Sequence, residues 1–355
     1  MVYWSWRSLN ISMEKPSLDT AKAGAMRFNT DSSQMEIYDG NQWTGILSTA
    51  PSLLTGGTRG LVAAGYTPSP TFTDFNTIDY FNVSSTGNAI DFGDISQDKF
   101  DLSGQTSSRT RAIFGGGYYT GQPRQNTIEF VTIASQGNAQ DFGDLTRSSN
   151  AHSACSNQTR AIYAGGYWPS NNKTNIIDYV TIAQTGNAVD FGDLIQQTRN
   201  TGSCASPTRA VWAGGTVGDP NTRQNVIQFV TISTTGNSSD FGDLLSARNT
   251  PYGASNAIRG CFSYGYGPSS PNASNAVEFI TIASLGNGQD FGDATTSNNH
   301  KNGVSSSTRI LWAGGYESNV IQYAQIMTTG NFLDFGDLTT NSCFMDGTSN
   351  SHGGL

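Results

Sequence analysis

The chain has 355 residues, of which only 13% are charged, and a net charge of −8. That balance argues against a basic nucleic-acid groove, and no apolar stretch is long enough to cross a bilayer as a helix. Abundant Gly, Ser, Thr and Asn suit short strands and tight turns, so the expected class is all-β.

Residues 1–50 share no period with the rest. They open Met1-Val2-Tyr3-Trp4-Ser5-Trp6-Arg7, without the basic-then-apolar layout of a secretion signal. Further on, 23–43 reads as a small β-hairpin module. A strand leads to a polar turn at Asp31-Ser32-Ser33, then come a second alternating strand, Asp39-Gly40 and Trp43. Paired aromatics on so short an appendage cannot all be buried within it. Trp4, Trp6, Tyr38 and Trp43 are therefore the residues expected to attach this module to a partner.

From residue 51 onward the chain repeats. Asp-Phe-Gly-Asp begins at Asp91, Asp141, Asp190, Asp240, Asp290 and Asp334, at intervals of 50, 49, 50, 50 and 44 residues. Arg59, Arg111, Arg160, Arg209, Arg259 and Arg309 keep step with it, each opening an apolar segment that usually ends in Gly-Gly. Two markers with one such period point to a solenoid or a propeller.

The fourth repeat shows the elements in order. Residues 199–205 are a run of small side chains, suited to a crowded innermost strand, and Ser206-Pro207 makes a turn. Residues 208–213 form a second strand stopped by Gly214-Gly215. In the third strand, 226–232, Ile227, Phe229 and Thr231 alternate with Gln228, Val230 and Ile232, so both faces are apolar and both need cover. Gly236-Asn237 reads as a tight hairpin turn into the fourth strand, which holds the Asp-Phe-Gly-Asp. Four antiparallel strands, six times over, predict a six-bladed β-propeller across residues 51–355.

Cys155 and Cys204 occupy the same place in successive innermost strands and are expected to be free, buried thiols. After the last Asp-Phe-Gly-Asp, Ser349-Asn350 aligns with Ser156-Asn157 and Ser255-Asn256. The C-terminal segment is thus expected to supply the inner strand of the first blade and close the ring. The competing arrangement uses residues 48–54 for that strand.

The motifs offer little chemistry. Asp-Phe-Gly also marks the magnesium site of protein kinases, but a catalytic motif does not recur six times without the Gly-rich loop and His-Arg-Asp. Sialidase-type Ser-x-Asp-x-Gly-x-Thr-Trp boxes are absent. His152, His300 and His352 are far apart, and Asp-Phe-Gly-Asp lacks the dense oxygen donors of a calcium loop. No metal, no cofactor and no catalytic residue is expected. The Arg and Asp anchors read as structural, each Arg meeting an Asp of the motif at one rim of the ring.

Variation is concentrated between the second and third strands, at 66–76, 118–126, 167–175, 216–225, 266–275 and 316–319. Tyr66, Tyr118, Tyr119, Tyr167, Trp168, Tyr266 and Tyr316 stand there among Ser, Asn and Gly, a composition suited to recognising protein or sugar. The other reading is that each Tyr caps its own blade.

The order of signals over 51–355 resembles the Kelch repeat, with Phe where the fourth-strand Trp usually stands. The N-terminal Arg27-Phe28-Asn29-Thr30-Asp31, with Tyr38-Asp39-Gly40 and Trp43, resembles a hairpin module of tailed-bacteriophage structural and fibre proteins. Repeated Gly-Gly-Tyr and Asp-Phe-Gly-Asp, ending near Ser349-Asn350-Ser351-His352-Gly353-Gly354, resemble structural proteins of marine phages. These resemblances imply a non-enzymatic protein of the virion surface, attached through residues 1–50 to other virion proteins. It would expose a propeller to a host surface glycan or protein. A tail-fibre or baseplate adhesin is favoured over capsid or neck decoration. A bacterial Kelch-type interaction protein or lectin is the alternative. A glycan-cleaving enzyme would need acids such as Asp74, Asp219 or Glu317 to converge over the axis.

Overall fold

The computed structural model describes residues 22–29, 34–45, 58–67, 72–102, 104–168, 172–218, 220–266, 274–297 and 299–355. Their regular structure is entirely β, with no helix among the described residues. The chain divides into Met1–Thr55 and Gly56–Leu355, a boundary slightly later than the pattern alone suggests. Trp4, Trp6 and the competing inner strand at 48–54 lie outside the described residues.

In the small unit, Met26–Asn29, Gln34–Tyr38 and Trp43–Gly45 form a three-stranded antiparallel sheet, one strand more than the expected hairpin. Asp39 turns the chain between the last two, its Oδ1 accepting from the amides of Asn41 and Gln42. Arg27 pairs with Glu36 at 2.7 Å and lies 4.2 Å over the Trp43 ring. Tyr38 is buried, its ring 5.3 Å from that of Trp43. Two of the residues assigned to attachment therefore pack against each other within the module.

In the large unit the repeats fold as the alternation dictates. The fourth has Gly202–Ala205, Arg209–Ala213, Thr222–Thr231 and Ser239–Arg248, paired antiparallel in that order. The adjacent Ile227 and Gln228 of its third strand are both buried, so both faces are covered. The fifth and sixth repeats are separate four-stranded sheets. The third and fourth join into one sheet through pairing of Thr198 and Arg199 with Val217 and Thr216. The second has three strands, and its inner segment meets the next at a Ser107–Ala112 bridge, with the Ile113 amide donating to Thr106 O at 2.9 Å. That segment carries Gln105 with φ of 37°, and a left-handed residue there interrupts the ladder.

The first repeat takes its inner strand from the C-terminus: Asp346–Ser349 pairs with Arg59–Thr67, Ser349 opposite Gly60. Asn350 Oδ1 accepts from the Arg59 amide, as Asn157 and Asn256 do for Arg160 and Arg259. The register expected from Ser349-Asn350 is the one observed. Beyond it, His352, Gly353 and Gly354 are buried too. The His352 ring stands 3.2 Å from the Ser107 carbonyl, and Gly353 and Gly354 lie on the backbones of Ala205, Asn256 and Ser156.

Two expectations are corrected at the junctions between repeats. Gly236-Asn237 is not a tight hairpin turn, because Phe229 pairs with Ser239 and a longer connection intervenes. That connection docks on the preceding repeat. The Gly236 amide donates to Phe191 O at 2.7 Å, the Ser238 amide to Asp193 O at 2.8 Å, and Asn237 Oδ1 accepts from the Asp193 amide at 3.0 Å. The same trio recurs at every junction, including Gly87 and Asn88 of the first repeat with Phe335 and Asp337 of the last. The contacts therefore run head to tail and return to their start.

The Arg anchors do not meet the motif's Asp residues. Each guanidinium lies 4.4–5.2 Å over the third-strand aromatic of its own repeat. It donates to a carbonyl of the following repeat: Ile133, Ile182, Ile232, Ile282, Ile326 and finally Val83, at 2.7–3.3 Å. The aromatic meets the motif's Phe edge-on, as Phe229 meets Phe241 at 5.9 Å. Asp91, Asp141, Asp190, Asp240, Asp290 and Asp334 are exposed, so their carboxylates keep their hydration and the junction needs none of them.

The acid or amide of the third strand makes the bond that the sequence does not announce. Asp79, Glu129, Asp178, Gln228, Glu278 and Gln322 are all buried. Each accepts from a residue just beyond the motif of the preceding repeat: Thr339, Ser96, Thr146, Ile195, Leu245 and Thr295. Lys99, Arg147 and Arg248 add ion pairs to Glu129, Asp178 and Glu278.

Candidate functional site

Between its fourth strand and the next inner strand the chain turns sharply. It does so through residues with left-handed φ: Asp101, Ala151, Asn200, Thr250, His300 and Phe344, all between 50° and 57°. None is glycine, and this backbone costs a β-branched Thr or a bulky Phe in particular. Their backbones link around a mouth. Asp101 N donates to Phe344 O, Ala151 N to Asp101 O, Asn200 N to Ala151 O and Thr250 N to Asn200 O, at 2.9–3.3 Å. Below lies a well of about 50 Å³, lined by Asp101, His152, Asn200, Thr250, Tyr252 and Phe344 among others. That volume admits a few waters or one small substituent, not a whole ligand.

The mouth has two chemically different sides. On one, aromatic rings touch in series: Tyr118 to Phe100 at 5.4 Å, Phe100 to Tyr66 at 5.2 Å, Tyr66 to Phe344 at 5.5 Å, Phe344 to His300 at 3.5 Å and His300 to Tyr266 at 5.3 Å. On the other, Asn150 Nδ2 donates to Asp101 at 3.1 Å, and the guanidinium groups of Arg199 and Arg124 lie 4.3 and 5.2 Å from the Tyr167 ring. His152 also lines the well, its buried ring packed 6.0 Å from that of Tyr163, and burial lowers its pKa to about 3.

Burial raises the Asp101 carboxyl to about 6, against the Asn150 hydrogen bond and the charges of Arg199 and Arg124. The carboxylate therefore opposes folding above about pH 6, and this cost fades as pH falls toward the unfolded value near 4. Asp101→Asn keeps an acceptor and a side chain that tolerates left-handed backbone. It is expected to stabilise the fold by about 3 kcal/mol at pH 7.5 and by only about 1 kcal/mol at pH 4.5. Denaturant titrations of both proteins at the two pH values check this, since the other titrating groups cancel in the difference. An equal gain at both would sink it.

The structure brings four of the predicted recognition residues to this mouth: Tyr66, Tyr118, Tyr167 and Tyr266. They are half-buried, each bridged by backbone to the lead-in of its own repeat's inner strand, at Cys343, Phe100, Asn150 and Asn249. That is the capping role weighed against recognition. Tyr119 instead lines a shallow groove with Asn76, Ser96 and Asp98, and Trp168 and Tyr316 are exposed. The sequence reading missed Phe100, Asp101, Arg199, Asn200, Tyr252, His300 and Phe344. The available signal was the variable position five or six residues before each inner-strand Ser or Ala.

Asp74 is engaged by the Thr120 amide at 2.7 Å, and Asp219 lies outside the described residues. All four cysteines are free and buried, with the Cys155 thiol pushed up to about 12 by burial. No group of three His, Cys, Asp or Glu is placed to hold a metal among the described residues. No protein-family model matches the chain, and no curated protein matches it in sequence.

Proposed function

We propose that the chain is a non-enzymatic structural protein of a tailed-phage virion. In this reading residues 1–50 attach it to other virion proteins and 56–355 form a six-bladed, Kelch-like β-propeller for recognition at the virion surface. The head-to-tail junctions and the C-terminal inner strand support the propeller, because a toroid of repeats has this cycle of contacts and leaves no open edge. The recognition reading rests on one observation. Six structurally equivalent positions around the axis carry Asp, Ala, Asn, Thr, His and Phe in a backbone conformation that glycine would adopt without strain. Side chains held there at a cost mark a binding surface better than the Tyr residues, whose backbones are committed to their own repeats. Attachment through the small unit rests on its resemblance to phage hairpin modules.

Particles from a genome encoding the chain without residues 1–43 test both parts. They are expected to lack the protein, while the shortened chain accumulates folded in the lysate and particles from the intact genome contain it. Normal incorporation of the shortened chain would move attachment to the large unit. Absence of the intact chain from purified particles would end the virion reading.

A further inference from the structure

The mouth combines features that separately mean little and together select a class of ligand. Phe344 and Tyr252 give one wall an aromatic surface, while Asp101, Asn200 and Thr250 give the other hydrogen-bonding groups. Phe344, Tyr252, Asp101 and Asn200 are only partly buried, so all four remain within reach from outside. Beneath them, Ser153, Ser203 and Asn302 add polar side chains to the lining of the well. The well's volume of about 50 Å³ suits one substituent of a larger molecule resting above it.

We propose that this axial mouth binds a saccharide, with a pyranose ring lying on Phe344 and Tyr252, hydroxyls bonded to Asp101 and Asn200, and one hydroxyl-bearing substituent entering the well beneath them. The proposal rests on the reading of the large unit as a recognition module and names its ligand class. A sugar ring presents C–H groups on one face and hydroxyls around its edge, which is the division of the two walls. Phosphate-bearing ligands fit less well, because an aspartate stands at the rim and the whole chain carries −8. An extended peptide would use an exposed sheet edge or a long groove, whereas this site is a small well bordered by turns. A single ring over a shallow well gains little area, so one site binds weakly and useful avidity comes from several copies.

The test titrates full-length protein with the methyl glycosides of glucose, galactose, mannose and N-acetylglucosamine, following binding by saturation-transfer NMR and calorimetry. Saturable binding of at least one is expected, weakened at least about tenfold by Asp101→Ala and by Phe344→Leu. Ala already occupies the equivalent backbone at Ala151. Asn200→Ala provides an independent third site if either variant folds poorly. Leu285→Thr, exposed and away from the mouth, should bind normally. No binding by any glycoside, or binding untouched by the mouth variants, overturns the saccharide site. Adsorption of the protein to host cells separates the two levels. Adsorption without glycoside binding leaves recognition standing and removes the sugar, and loss of both removes recognition as well.

Discussion

A chain ending at Met345 is expected to lose its single cooperative unfolding transition and to expose apolar surface to a hydrophobic dye at room temperature. Removing 346–355 deletes the strand that pairs with Gly60, Leu61, Val62 and Ala63 and leaves that strand as an open edge. It also removes Thr348, Ser349, Asn350 and His352, all buried. Their hydrogen bonds reach several repeats: Ser107 Oγ donates to Ser349 O, Ser349 Oγ donates to Ser305 O, and His352 meets Ser107 and Ser156. The loss is on the order of the whole stability of a folded domain, about 5–15 kcal/mol. Circular dichroism and dye binding on the shortened chain decide it, and a transition as sharp and as late as that of the full chain would show the C-terminal strand to be dispensable. The His352 pKa, lowered to about 4 by burial, adds a milder version of the same experiment. A histidine buried neutral stabilises the fold above its unfolded value near 6.5, and that contribution is lost as pH falls toward 4.

Gly192→Ala is expected to destabilise the protein by about 3 kcal/mol or more, one of the largest effects of any single methyl group here. Gly192 has φ of 147°, and a β-carbon there would stand 2.5 Å from the Gly236 carbonyl of the next repeat. The junction cannot open to admit it without breaking the Gly236–Phe191 and Ser238–Asp193 bonds. Gly186→Ala separates backbone strain from contact, because Gly186 has φ of 157° and nothing within 4 Å. Denaturant unfolding of the two variants should therefore differ by most of the effect. If they match, close approach between repeats contributes nothing and the cost is conformational alone. The same reasoning applies at Gly336, which meets Gly87 where the last repeat joins the first.

The strands were legible because alternation is a local property. Val226, Ile227, Gln228, Phe229 and Val230 show two-sided burial within five residues, and each Arg-to-Gly-Gly segment marks its own start and stop. Register at the C-terminus was legible too, since Ser349-Asn350 repeats a pair whose Asn caps the following strand in two other repeats. What sequence could not supply was the identity of partners between repeats. An Arg and an Asp of the same period suggest an ion pair. In the fold each guanidinium stacks on an aromatic and reaches a neighbouring carbonyl, because a carbonyl bent out of its ladder needs a donor and a hydrated Asp does not. Gly236-Asn237 has the composition of a turn, yet its amide, side chain and lack of a β-carbon serve a contact with the repeat before it. The buried acids and amides looked like ordinary polar positions of an alternating strand until the neighbouring amide that each caps was in place. The mouth was least visible of all. Asp, Ala, Asn, Thr, His and Phe share no chemistry, and only the backbone shows that all six take the same left-handed conformation.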